Sequence, residues 1–122
     1  HSGRIYGAGC LINGLPLSDD TFQYFRNWLV AQGRSAYEGA LADPDTLASL
    51  PKVAKCEAWD EDFAYVAYHV FEAKTGNDVY EQKPQITCSA KETDYDWRNY
   101  TPTLLKERFP ALWKKYGKRY RA

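Results

Sequence analysis

Helix boundary signals between residues 13 and 50 constrain the fold of this chain more than any other feature. Ser18 is a suitable N-cap, because its hydroxyl accepts a hydrogen bond from an amide of the first helical turn. Apolar side chains then recur at three- and four-residue spacing, which is typical of an amphipathic helix. Gly33 is suited to end that helix, since glycine adopts the left-handed conformation without strain. The segment therefore predicts a helix over 19–32.

Similar signals divide the rest of the chain into further helices. Residues 4–13 precede Gly14 and predict a first helix, and residues 34–42 predict a short one. Two further helix starts are predicted at Asp43-Pro44 and Thr101-Pro102. In each pair a capping side chain precedes a proline, and the proline stands in the first helical turn, where the absence of its amide hydrogen costs little. The clearest long helix is predicted over 60–75, ending at Gly76, with an inward apolar stripe made of Phe63, Val66, Ala67, Val70 and Phe71. Pro110 separates the helix after Thr101 from a last one through Leu112, Trp113 and Tyr116.

Helical periodicity is lost between residues 77 and 100, where a long loop with a short strand at 85–88 is expected. Loops of this length inside a compact domain are often functional. The fold class predicted for residues 1–122 is all-α: a single compact multi-helix domain with one long irregular loop at about 77–100.

Composition narrows the class of protein. The 16 basic residues balance the 16 acidic residues, so the chain as a whole has no net attraction to nucleic acid or to an acidic membrane. No apolar run is long enough to span a bilayer and no leader opens the chain, so we expect a cytoplasmic protein. Cys10, Cys56 and Cys88 lie far apart, which favours free thiols over disulfides. We expect no metal and no cofactor, because a zinc site needs four well-spaced ligands, and apart from the terminal His1 the chain offers only His69 and three scattered cysteines.

Two consecutive stretches resemble a known family: Ser18-Asp19-Asp20-x-Phe22-x-x-Phe25-Arg26-x-Trp28-Leu29-Val30-x-x-Gly33-Arg34 and Ala40-Leu41-Ala42-Asp43-Pro44-Asp45-x-Leu47-Ala48. They are similar to the bacterial domain-of-unknown-function family numbered 4240. Phe63-Ala64-Tyr65-Val66-Ala67-Tyr68, Glu72-x-Lys74-Thr75-Gly76 and Phe109-Pro110-Ala111-Leu112-Trp113-x-Lys115-Tyr116 fit the same family in order. The resemblance implies a helical fold and supplies no mechanism.

Members of that family usually carry further helices before the position of Arg4. The resemblance therefore implies that this chain corresponds to the later two-thirds of the family domain and lacks its N-terminal helices. On that basis we expect residues 4–13 to contact a second polypeptide, or a symmetry-related copy, with Gly7 and Gly9 at the contact.

Aromatic residues in acidic surroundings favour a non-enzymatic protein-interaction domain. Tryptophan and tyrosine are frequent anchors of protein interfaces. The predicted partner-binding residues are Trp59, Tyr95, Trp97 and Tyr100.

Two alternatives remain open at this point. The basic C-terminal tail, in which cations alternate with tyrosines, fits a nucleic-acid-associated accessory domain; its cations are Lys114, Lys115, Lys118, Arg119 and Arg121. An uncharacterised enzyme would use His69 as general base beside Glu72, although no catalytic motif surrounds them.

Arg26 and Arg34 are a further candidate pair for an anion such as a carboxylate or phosphate.

Overall fold

The computed structural model describes residues 3–78 and 100–121, and this part of the chain is all-helical. The α-helices are α1 (Gly3–Asn13), α2 (Asp19–Ala31), α3 (Arg34–Ala42), α4 (Phe63–Thr75), α5 (Pro102–Arg108) and α6 (Pro110–Tyr116), with 3₁₀ helices at Pro44–Ser49 and Gly117–Arg119. The all-α prediction is confirmed. The loop predicted at about 77–100 and the short strand at 85–88 lie outside the described residues, except for positions 77, 78 and 100.

The predicted helix ends are largely confirmed. Ser18 caps α2, with its hydroxyl accepting from the Thr21 amide at 3.2 Å, and Gly33 follows that helix with a φ of +101°. Thr101 caps α5 in the same way. Asp43 also caps the segment that begins at Pro44, but that segment is a 3₁₀ helix rather than an α-helix. It has only six residues, and short helical pieces of this kind favour the tighter winding.

Helix α1 is the centre of the molecule. Every residue of α1 except Arg4 is buried, and α2, α5, α6 and the 3₁₀ helix Pro44–Ser49 surround it. Leu11 and Ile12 are 0% and 1% exposed, so the chain itself covers the stripe that we expected a second polypeptide to cover. The expectation of a partner against residues 4–13 is therefore wrong.

The glycines of α1 serve close packing inside this chain. A Cβ atom at Gly7 would lie 2.7 Å from Cε2 of Phe109, and one at Gly9 would lie 2.7 Å from Cδ1 of Phe25. Both distances are shorter than real Cβ contacts, so larger residues would push the neighbouring aromatic rings away. The close helix contact expected at these glycines exists, but it is intramolecular.

Polar contacts hold the irregular segment between residues 50 and 62 against the end of α1. Asn13 is fully buried; its side-chain amide donates to the carbonyls of Gly9 and Ala58, at 3.1 and 3.3 Å, and its oxygen accepts from the Ala58 amide at 3.0 Å. Arg119 donates to the Val53 carbonyl at 2.7 Å and also to the Ile12 carbonyl. The bond to the Ile12 carbonyl satisfies a group in the last turn of α1 that the helix leaves without a partner.

Helix α4 projects from this anchored segment and has its main contacts with α2. The Asp60 amide donates to the Tyr24 carbonyl, and the Asn27 side chain donates to the Asp60 carbonyl, each at 3.0 Å. The Asp60 carboxylate accepts from the Phe63 amide at 2.9 Å, at the start of α4. The beginning of the helix is thus fixed at three points.

No residue of α4 is buried. The prediction of an inward stripe made of Phe63, Val66, Ala67, Val70 and Phe71 is therefore wrong in its direction, although the helix and its end at Gly76 are confirmed. Periodicity shows that one side of a helix is apolar, and it does not show what that side meets.

Candidate functional site

An apolar surface on α4 is the strongest candidate for a functional site among the described residues. Its members recur at positions three and four apart, so they share one side of the helix. We call this surface the α4 face; it consists of Phe63, Val66, Ala67, Val70, Phe71, Lys74 and Thr75, which line a shallow groove of about 490 Å³. Val66 is 52% exposed and Val70 is 48% exposed. The middle of the face is therefore both apolar and accessible.

The two ends of helix α4 carry opposite charges. Asp62 is exposed at the N-cap position, and Lys74 is exposed in the last turn. Neither forms an ion pair with another described residue. By contrast, Glu61 accepts from the Tyr24 hydroxyl at 3.4 Å, and its negative charge raises the pKa of that tyrosine.

The predicted aromatic anchors occupy different environments. Trp59 is half-buried and packs against the hydrophobic core. Tyr100 is only 8% exposed, with its ring 6.0 Å from that of Phe109 and beneath the Arg108 guanidinium. Tyr100 therefore contributes mainly to the core. Tyr95 and Trp97 lie outside the described residues.

The basic tail is divided between structural and exposed cations. Lys115 donates to the carbonyls of Ala48 and Leu50, the first at 2.9 Å, and so completes the end of a 3₁₀ helix. Arg119 binds carbonyls near the end of α1 and stacks over the Tyr116 ring at 4.3 Å. The tail cations that remain exposed are Lys114, Lys118 and Arg121. Two of the five predicted nucleic-acid-binding residues are thus engaged within the protein.

The predicted anion-binding arginines each contact a neighbour on their own helix. Arg26 donates to Gln23 and lies 4.9 Å from the centroid of the Phe22 ring, and its burial lowers its pKa. Arg34 pairs with Glu38 at 2.8 Å, one turn further along α3. Both interactions join side chains that lie three or four positions apart on the surface of one helix.

The residues of the enzyme hypothesis do not form a recognisable catalytic group. His69 and Glu72 are exposed on α4, and the structure shows no hydrogen bond between them. Cys10 is 1% exposed, and burial raises the pKa of its thiol from 9.0 to about 11. The Tyr6 hydroxyl donates to the Leu17 carbonyl at 2.7 Å, which explains a buried tyrosine without a catalytic role.

The described parts of the chain contain neither a metal-binding cluster nor a helix suited to a membrane. Residues 3–78 and 100–121 contain no cluster of three or more His, Cys, Asp or Glu side chains that could hold a metal ion. None of the described helices combines the length and apolarity needed to cross a membrane.

The capping of α6 by a distant side chain and the exposure of the α4 face were not predicted from the sequence. The Asp45 carboxylate accepts from the amides of Ala111 and Leu112, at 3.0 and 2.8 Å, and so caps α6 from a distant part of the chain. The α4 face was assigned to the core, because its periodicity is the same as that of a buried helix. No separate signal in the sequence distinguishes the two arrangements.

Comparison with known proteins yields one family. No curated protein and no solved structure matches this chain significantly. The family model described as "Protein of unknown function (DUF4240)" matches residues 1–73, which extend from α1 into α4. The stretch around Phe109–Tyr116, which resembles the same family, lies outside that match. Because the match spans more than half of the 122 residues, the chain belongs to the DUF4240 family.

Proposed function

We propose that this chain is a non-enzymatic protein-binding domain whose α4 face receives the partner. The observation that carries the proposal is the exposure of Val66 and Val70 in the middle of a continuous apolar stripe. Covering apolar surface is worth roughly 25 cal/mol per Å², so a protein partner with a matching apolar surface would bind there favourably. Exposed apolar stripes on otherwise folded domains commonly mark interaction sites.

The surroundings of α4 support a binding role because they hold the helix in place without covering its face. The start of α4 is joined to α2 through Asp60, Tyr24 and Asn27. A helix that is already ordered loses less conformational entropy when a partner binds. Helix-in-groove recognition and helix-to-helix pairing both use faces of this kind.

The competing functions have less support from the described residues. A nucleic-acid site on the tail would have to rely on the exposed cations, since Lys115 and Arg119 bind backbone carbonyls. An enzyme of the kind considered above would need His69 to act with Glu72, and both side chains are exposed with no hydrogen bond between them.

The test compares full-length protein with Val66→Glu and Val70→Glu as immobilised baits in extracts of the source cells. Leu41→Glu is the matched control, because Leu41 is 55% exposed on a different helix. We expect specific proteins to be retained by the natural chain and by the control, and to be lost from both α4 variants. Circular dichroism should be the same for all four. Equal capture by the α4 variants, with their helical content intact, would overturn the proposal.

A further inference from the structure

We infer that this chain has a second binding surface, which receives a short acidic segment of another protein. The surface lies at the C-terminal end of α1 and consists of exposed cations from two distant parts of the chain. We call it the basic surface; its members are Lys52, Lys55, Lys118 and Arg121. It shares no residue with the α4 face, and the inference does not depend on the proposed function.

Gly14, the residue after α1, is the point at which the two parts of the basic surface meet. The Arg121 amide donates to the Gly14 carbonyl at 3.3 Å. From the other part of the chain, Cγ of Lys55 lies 3.4 Å from the position that a Cβ atom on Gly14 would occupy. Lys55 and Arg121 therefore extend into solvent from the same small region of the protein.

A second contact holds the other two cations nearby. The Arg119 guanidinium donates to the Val53 carbonyl at 2.7 Å. Lys118 directly precedes the first of these residues and Lys52 directly precedes the second, so the bond places both lysines on adjacent stretches of backbone. The Val53 amide also donates to the Tyr116 hydroxyl at 3.3 Å. The backbone beneath the basic surface is thus already ordered, which reduces the entropy lost when a partner binds.

The positive charge of this surface has little local compensation. Residues 52–56 and 117–121 contain no Asp or Glu, and the nearest acidic residue in sequence is Glu57. The four cations form no ion pair with any residue in the described ranges 3–78 and 100–121. An acidic protein segment would supply carboxylates for these cations, and clustered cations are a recurring means of recognising acidic peptides.

Two observations favour an acidic protein segment over nucleic acid. The chain has 16 basic and 16 acidic residues, so it has no net charge to attract a long polyanion. Tyr120, the one aromatic residue within residues 52–56 and 117–121, is only 9% exposed, so it is not available to stack on an unpaired base. A short acidic segment needs only the local charge of the basic surface.

Fluorescence anisotropy of a labelled peptide of about ten glutamates, titrated with the full-length chain, tests the inference. We expect binding at about 20 mM salt that weakens strongly at about 200 mM salt, since contacts between exposed charges are screened. Lys55→Glu and Arg121→Glu should each weaken binding about threefold or more, because an attractive charge pair becomes a repulsive one. Lys106→Glu is the matched control, because Lys106 is exposed on α5 and the change in net charge is the same. It should alter binding much less.

Three results would overturn the inference: no binding of the peptide at about 20 mM salt, reversal variants that bind no more weakly than Lys106→Glu, or tighter binding of a duplex DNA of about twenty base pairs than of the peptide. The third result would assign the basic surface to nucleic acid. Circular dichroism should be the same for all variants. If a charge reversal alters the helical content, Lys55→Gln and Arg121→Gln take its place, with an expected weakening of about twofold each.

Discussion

Replacement of Asn13 by alanine is expected to lower the free energy of unfolding by about 3 kcal/mol. The side chain is 0% exposed and makes hydrogen bonds to the Gly9 carbonyl and to both backbone groups of Ala58. In the variant the Ala58 amide and carbonyl stay buried without this partner, and each unsatisfied group costs about 1–3 kcal/mol. The higher helix propensity of alanine cannot offset the loss, because that gain is only about half a kcal/mol.

Urea denaturation followed by circular dichroism measures this loss, with Asn27→Ala as the matched control. Asn27 is half-buried; its amide donates to the Asp60 carbonyl at 3.0 Å, and its oxygen accepts from Gln23 on the helix surface at 3.1 Å. Its replacement should cost no more than about 1 kcal/mol. A loss below about 1 kcal/mol for Asn13→Ala would refute the view that this amide is the main link between α1 and the segment before α4.

Other measurements test the packing and the buried titratable groups. Gly7→Ala should destabilise the protein by about 1 kcal/mol, because the new Cβ would lie 2.7 Å from an aromatic carbon. Gly39→Ala should be neutral or stabilising, because the nearest atom to its Cβ would be 3.4 Å away. Thermal unfolding of the two variants measures the difference. At pH 8, iodoacetamide should modify the half-buried Cys56 at least about tenfold faster than the buried Cys10. Peptide mapping measures the two rates, and equal rates would mean that α1 opens readily. Burial raises the pKa of Cys10 from 9.0 to about 11 and that of Tyr120 from 10.0 to about 12, so the unfolded chain loses these protons at lower pH than the folded protein does. The free energy of unfolding should therefore fall as the pH rises from about 9 to about 12. Urea midpoints that stay constant over this range would contradict the burial of both groups.

Helix ends could be predicted from the sequence because they depend on neighbouring residues. The Ser18 hydroxyl reaches an amide only three residues away, and the left-handed conformation after α2 concerns Gly33 alone. The same is true of Thr101, whose hydroxyl accepts from the Leu104 amide at 3.2 Å. Such interactions are decided within one helical turn, so that their sequence pattern carries most of the information.

Contacts between distant segments could not be predicted in this way. Lys115 binds the carbonyls of Ala48 and Leu50, and Asp45 caps a helix more than sixty residues further along the chain. In the sequence these two residues look like ordinary surface charges. Their partners become known only when the path of the backbone is known, and the same reason explains why the α1 stripe was assigned to an external partner.

Several charged residues, including two of the tail cations that were predicted to bind nucleic acid, are used to complete the fold. Helices leave amides at their starts and carbonyls at their ends without partners, and burial makes each such group costly. Asp45, Lys115 and Arg119 meet that need at three helix ends. Charged side chains used in this way are not available for a substrate or a nucleic acid.

The reverse holds for the apolar residues of α4. A buried stripe and an exposed stripe have the same spacing, and only a neighbouring element decides between them. Here α2 contacts α4, and Asp60 anchors the start of α4. Val66 and Val70 nevertheless remain about half exposed. Apolar surface that stays exposed lowers the solubility of the protein, so it gives the folded monomer no advantage of its own. Covering it with another surface would be favourable, which is why the binding role that we propose rests on the apolar side of α4 rather than on the charged residues of the tail.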